Sequence, residues 1–88
     1  MYRIEILAQA DKDIRSYKKA GDIAALKKIQ DIFKELRIHP RSGTGKPEQL
    51  KYELMGYWSR RIDKKNRLIY RIEDKKTVVV VVSASGHY

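Results

Sequence analysis

The stretch YWSRRIDKKNRLIYRIEDKKTVVVVV (57–82) decides the fold. It holds three runs of strand-forming residues, YWSRRI (57–62), RLIYRI (67–72) and TVVVVV (77–82), separated by DKKN and EDKK. Aromatic and β-branched residues suit strands, and short polar tetrapeptides between such runs suit hairpin turns. The five consecutive valines show no polar alternation, which predicts a strand buried on both faces.

Working toward the amino terminus, Gly56 predicts a bend, QLKYEL (49–54) a short strand and HPRSGTGKP (39–47) a loop. Before the loop, Leu26, Ile29, Phe33 and Leu36 recur at steps of three and four residues, an amphipathic helix running to about Ile38. His39-Pro40 ends it, and Asp22 is placed to cap its start. Residues 9–20 form another helix, with Ala10, Ile14 and Tyr17 on one face and Gly21 just past the end. Lys27, Lys28 and Lys34 belong to a solvated outer face, and His39 to a helix terminus. YRIEIL (2–7) alternates as a strand does. The order is β-α-α-β-β-β with room for one more short strand. The expectation is a single α+β domain over 1–88, a two-helix hairpin packed on one face of a small, mainly antiparallel sheet of four to five strands.

Composition narrows the function. The chain has no Cys, no run of about 20 apolar residues and no signal-like apolar segment. These features predict a soluble, cytoplasmic protein with no membrane partner. Twenty Lys and Arg against 11 Asp and Glu give a net charge of +9. Residues 41–71 concentrate it: Arg41, Lys46, Lys51, Arg60, Arg61, Lys64, Lys65, Arg67 and Arg71 face only Glu48, Glu53 and Asp63. Tyr52, Tyr57, Trp58 and Tyr70 lie among them. Cations interleaved with aromatics can neutralise phosphates and stack bases, which points to nucleic acid without choosing DNA or RNA. An acidic protein is the other partner that such a surface suits.

Each chemically useful residue also has an ordinary explanation. Glu48, between Lys46 and Lys51, fits a surface ion pair. Arg60, Arg61 and Arg67 fit a charged sheet face, and His87 a tail. No two His stand at metal-ligand spacing, so no metal or other cofactor is expected. GTGKP is too short for a phosphate-binding loop. Taken together, though, one carboxylate, two or three arginines, a lysine and a terminal His could cleave a phosphodiester without metal. RNA supplies its own nucleophile, the 2′-OH. The reaction then needs a base, cations for the charge developing on phosphorus, and an acid for the leaving 5′-oxygen. Composition alone does not single out this chemistry.

GKPEQLKYELMGYWSRRIDKKNRLIYRI (45–72) resembles the YoeB-type toxins of the RelE superfamily. Those proteins carry GKPE, LK, an aromatic followed by WSRRI, and RL followed by an aliphatic residue and Tyr, at this spacing, and end in His-Tyr. The likeness covers roughly residues 43–88; the first 40 agree only in element order. It implies a RelE-like fold and a ribosome-dependent mRNA endonuclease that inhibits translation. Glu48 would be the general base, and Lys51 would contact the phosphate or tune that base. Arg61 would bind the scissile phosphate and Arg67 would stabilise the transition state. His87 would be the general acid and Tyr88 would orient the nucleotide or support the acid. Lys46 and Arg60 would add RNA contacts. The products would be a 2′,3′-cyclic phosphate and a 5′-OH. The implied partners are a cognate acidic antitoxin, the ribosome with its 16S rRNA, and mRNA; the resemblance also allows a homodimer. A non-catalytic module that binds an acidic helix, and a gyrase-directed toxin of the related ParE type, are the competing readings.

Two structural expectations follow. If DKKN were a plain four-residue loop, Ile62 would oppose Arg67, and Arg61 would point to the other face. A shared phosphate requires Arg61 to oppose Arg67, hence an odd-length connection or a bulge near 62–66. Gly86 should give His87 freedom to swing.

Overall fold

In the computed structural model, which describes residues 1–86, the chain runs β1 (Arg3–Ile6), α1 (Ala8–Ala20), α2 (Ile23–Leu36), β2 (Glu48–Gln49), β3 (Tyr57–Arg61), β4 (Arg67–Glu73) and β5 (Val78–Ser83). The sheet order is β1-β5-β4-β3-β2; β1 is parallel to β5 and the other pairs are antiparallel. Two helices on a five-stranded mixed sheet make an α+β fold. Asp22 caps α2 through the Ala25 amide at 3.0 Å, and Gly21 closes α1 in a left-handed conformation, both as the sequence predicts. Two expectations are corrected. The α2 helix stops at Leu36, because the amides of Ile38 and His39 both fold back to the Glu35 carbonyl. QLKYEL is not one strand: pairing reaches only Gln49, and Tyr52–Leu54 curls into a 3₁₀ turn.

Strand register sorts the side chains onto two faces. Ile4, Trp58, Leu68, Tyr70, Ile72, Val79 and Val81 pack with Tyr17, Ile29, Ile32 and Leu36 of the helices. The opposite face carries no helix. There the register aligns Glu48 with Ser59, Ser59 with Ile69, and Arg61 with Arg67. Val78 and Val80 lie on this face too and are nonetheless buried. Register flanks Val78 with Arg3 and Glu73, and Val80 with Glu5 and Arg71, whose long side chains can cover apolar surface while their heads stay in water.

Two polar anchors on the helix side fix the segments that leave the sheet. The first holds the tail. Where β5 meets β4, an irregularity puts Ser83 opposite Ile69 and Val81 opposite Tyr70, leaving Val82 without a partner. The extra residue resets the alternation, so Ala84 turns into the core. There the Ala84 amide donates to the buried Asp13 carboxylate at 2.9 Å, and the Tyr17 hydroxyl donates to the Ala84 carbonyl at 2.7 Å. Burial, helped by the nearby carboxylates of Asp63, Asp13 and Asp22, pushes the Tyr17 hydroxyl up to about 12, so it remains a donor at neutral pH.

The second anchor holds the loop 39–47. Arg60 is 0% exposed. Its guanidinium donates to Glu35 Oε1 at 2.6 Å, to the carbonyls of Ser42 (2.8 Å), Pro40 (3.2 Å), His39 (3.3 Å) and Thr44 (3.3 Å), and to the Tyr70 hydroxyl (3.1 Å). Tyr70 in turn donates to the Pro40 carbonyl at 3.0 Å, and the Thr44 amide donates to Glu35 at 2.7 Å. Burial alone would raise the Glu35 carboxyl. The Thr44 hydroxyl and amide and the Arg60 guanidinium outweigh it and hold the pKa below the ordinary value.

Replacing Arg60 by Ala strands a carboxylate and several loop carbonyls, and should lower stability by about 3–5 kcal/mol. A urea midpoint unchanged from wild type would show that the clamp contributes nothing. The lowered Glu35 pKa contributes stability that is full above the ordinary value of 4.5 and is lost as pH falls through the folded value. Glu35→Gln should therefore lose stability at pH 7, and the gap to wild type should narrow as the pH drops below about 4.5. Urea midpoints measured from pH 7 to pH 3 check both the loss and the narrowing.

Candidate active site

The sequence expectation for register holds. Arg61 and Arg67 are directly opposed, with five residues, 62–66, between them. The turn owes its length to Asp63, whose carboxylate accepts from the amides of Lys65 and Asn66, both at 2.8 Å, and from the Asn66 side chain. Ile62 donates to the Asn66 carbonyl at 3.0 Å and stays buried.

The arginine pair is of the close type. Arg61 sends its amide outward to the Gly45 carbonyl at 2.6 Å, and Arg67 sends its own to the Gly86 carbonyl at 3.1 Å. Neither bonds to the other, so this is a non-hydrogen-bonded pair, in which Cβ atoms stand about 4.5–5.5 Å apart. Like charges directly opposed are destabilising. Among the described residues the Arg67 side chain donates only to the carbonyls of Asp63 and Asn66, at 3.3 and 3.4 Å, and neither arginine is in a salt bridge. The site is poised for an anion that touches both guanidinium groups.

The same two hydrogen bonds bring the other candidates to the pair. Gly45 lies against β3 so closely that a Cβ there would come within 2.8 Å of the Arg61 carbonyl oxygen, and its φ is +83°. From Gly45 the chain passes through Lys46 and Pro47 to Glu48, which opposes Ser59 and is thereby a diagonal neighbour of Arg61 on the helix-free face. Glu48, Arg61, Lys46 and Lys51 are exposed, and Arg67 is half-buried. On the far side, Gly86 is held twice, by the Arg67 amide and by its own amide donating to Asn66 Oδ1 at 2.9 Å. Gly86 itself is tied to Arg67 and Asn66, while the expected freedom of His87 concerns a residue beyond those described. His87 and Tyr88 lie outside the described residues.

One assignment fails. Arg60 is not available to RNA, because it points to the helix side and all its donors are engaged within the protein. The positioning residues Glu35, Thr44, Asp13 and Tyr17 carry no signature in the motif. An open groove of about 570 Å³ borders Glu48, Lys51, Tyr52 and Glu53 along the β2 edge.

Comparison with known proteins identifies the family and the fold. A family model described as YoeB-like toxin of bacterial type II toxin–antitoxin system matches residues 7–88. Toxin YoeB of Escherichia coli O6:H1 is 40% identical over 72 residues, which is 82% of this chain and 83% of the relative. Among solved structures, a YoeB/ParE toxin from Agrobacterium tumefaciens superposes with a TM-score of 0.90 at 31% identity, covering 100% of both chains. A chain from the heterotetrameric YoeB–YefM toxin–antitoxin complex of Staphylococcus aureus superposes at 0.84 with 34% identity, covering 100% of this chain and 99% of that one. With nearly its whole length matched and the paired arginines beside Glu48, the chain belongs to the YoeB-like toxins of bacterial type II toxin–antitoxin systems.

Proposed function

We propose that this toxin is a ribosome-dependent mRNA endonuclease that cleaves by acid–base catalysis with the RNA 2′-OH as nucleophile. The observation that carries the reading is the facing pair Arg61 and Arg67, without a carboxylate partner among the described residues and with Glu48 diagonal to it. Glu48 takes the 2′-OH proton, and the oxygen attacks the adjacent phosphorus. Arg61 and Arg67 bind the non-bridging oxygens as charge grows on them. His87 gives a proton to the departing 5′-oxygen, with Tyr88 supporting it. A 2′,3′-cyclic phosphate and a 5′-OH result. Lys46 and Lys51, both exposed beside Glu48, add attraction for the backbone.

The openness of the site supports dependence on the ribosome. Glu48 and Arg61 are exposed on a sheet face that has no helix over it among the described residues. Cleavage requires the 2′-oxygen, phosphorus and leaving oxygen in line, and an open face cannot impose that on a flexible strand. A ribosome that presents mRNA in a fixed shape supplies the missing constraint, and the +9 charge suits docking on its RNA. The same basic surface suits an acidic antitoxin segment, and the Staphylococcus aureus relative is found in a complex with an antitoxin.

Cleavage should appear on programmed ribosomes and not with free mRNA, leaving 2′,3′-cyclic ends. Glu48→Ala and His87→Ala should each slow it by about 10²–10⁴-fold. Absence of cleavage by folded wild type, with retained binding to an acidic partner, would overturn the reading in favour of an interaction module.

A further inference from the structure

Tyr52 stands out among the aromatic residues. It is 88% exposed, and its backbone adopts φ +58°. A bulky residue in the left-handed region is an outlier, held there only when its surroundings over-determine it. The surroundings do so here. Leu50 is buried and its amide donates to the Tyr57 carbonyl at 2.9 Å; Leu54 donates to the Lys51 carbonyl at 3.2 Å and Met55 to the Tyr52 carbonyl at 3.1 Å. The turn is tied on both sides, and its strained residue gains no burial of its own ring. Met55, 75% exposed, lies on the same turn.

The groove gives the exposure a purpose. Glu48, Lys51 and Tyr52 line one concavity of about 570 Å³, the size of a small-ligand site. Beside Glu53, the groove brings together the Glu48 carboxylate, the Lys51 cation and the Tyr52 ring, which match one nucleotide: sugar hydroxyl, phosphate and base. Single-stranded RNA is recognised by stacking its splayed bases on aromatic side chains beside a cationic path for the backbone.

We propose that Tyr52 is a stacking platform for the base of the nucleotide whose 2′-OH Glu48 deprotonates, the nucleotide on the 5′ side of the cut. The inference rests on the ribonuclease reading and goes beyond it by naming where that nucleotide lies: at the β2 edge, on the Glu48 side of the arginine pair. Tyr52 is then a substrate-positioning residue that takes no part in proton transfer.

The test uses Tyr52→Phe, Tyr52→Leu and Tyr52→Ala, substitutions at an exposed ring that leave the thermal midpoint near wild type. Wild type first marks the cut on programmed ribosomes. A second mRNA then carries 2-aminopurine, with a 2′-deoxy sugar to block cleavage, at the nucleotide 5′ to that cut. The fluorescence of this base falls when it stacks. Wild type and Tyr52→Phe should quench it and cleave normal mRNA alike. Tyr52→Leu and Tyr52→Ala should lose the quench and lower kcat/KM about tenfold to a hundredfold. Quenching and cleavage by Tyr52→Ala equal to wild type would overturn the platform while leaving the nuclease intact. So would a Tyr52→Leu variant that behaves like wild type, since an apolar contact would then suffice. Loss of antitoxin binding with unchanged cleavage would also overturn it and reassign Tyr52 to protein docking. Absence of cleavage by wild type overturns the nuclease reading and this inference with it.

Discussion

A single buried guanidinium organises the half of the molecule that carries the candidate site. Arg60 lies in the core with no exposed surface, a position no cation occupies unless it is paired and its donors are filled. Glu35 from the end of α2 supplies the charge, and four carbonyls of residues 39–44 with the Tyr70 hydroxyl supply the remaining acceptors. An eleven-residue connection, 37–47, without regular structure would otherwise have many arrangements of similar energy. Filling one planar fork of donors from six acceptors selects one of them. The loop then reaches Arg61 at Gly45 and delivers Glu48 onto β3 in register.

Adjacent arginines thus do opposite jobs, and β-strand alternation divides them. Arg60 points toward the helices and is saturated; Arg61 points to the bare face and is not. Exchanging their environments by a one-residue slip of β3 would put an unpaired charge into the core. The clamp therefore also enforces the register that sets Arg61 against Arg67. That opposition of like charges is unfavourable in the free protein. It is sustained because each arginine's backbone is locked by a neighbouring segment, Gly45 on one side and Gly86 on the other. An anion between the two side chains would relieve what the fold imposes.

Much of this is legible in the residues. Hydrophobic spacing marks α2, the cap at Asp22 and the three carboxy-terminal strands, because each is set by local periodicity. The opposition of Arg61 and Arg67 follows from the expectation that they would share one phosphate, and the structure has that register. The role of Arg60 was open to the same reasoning. In YWSRRI, Trp58, Arg60 and Ile62 fall on one face by the two-residue period, so an arginine between two apolar residues is an inward one and demands a buried partner. The partner itself was not legible: Glu35 is 25 residues away in sequence, and no local pattern pairs a helix end with a strand. The Asp13 and Tyr17 contacts with Ala84 span 71 and 67 residues and were hidden for the same reason. The short reach of β2 escaped because the turn at Tyr52–Leu54 rests on a conformation its residues do not favour.

These anchors share a side. Arg60 with Glu35, and Asp13 with Tyr17, all act from the helix face of the sheet, while Glu48, Arg61 and Arg67 project from the other. The sheet thereby separates what holds the site from what the site does. The two carboxylates on the helix side, half-buried Glu35 and buried Asp13, each fix one segment that leaves the sheet, the loop 39–47 and the tail at Ala84.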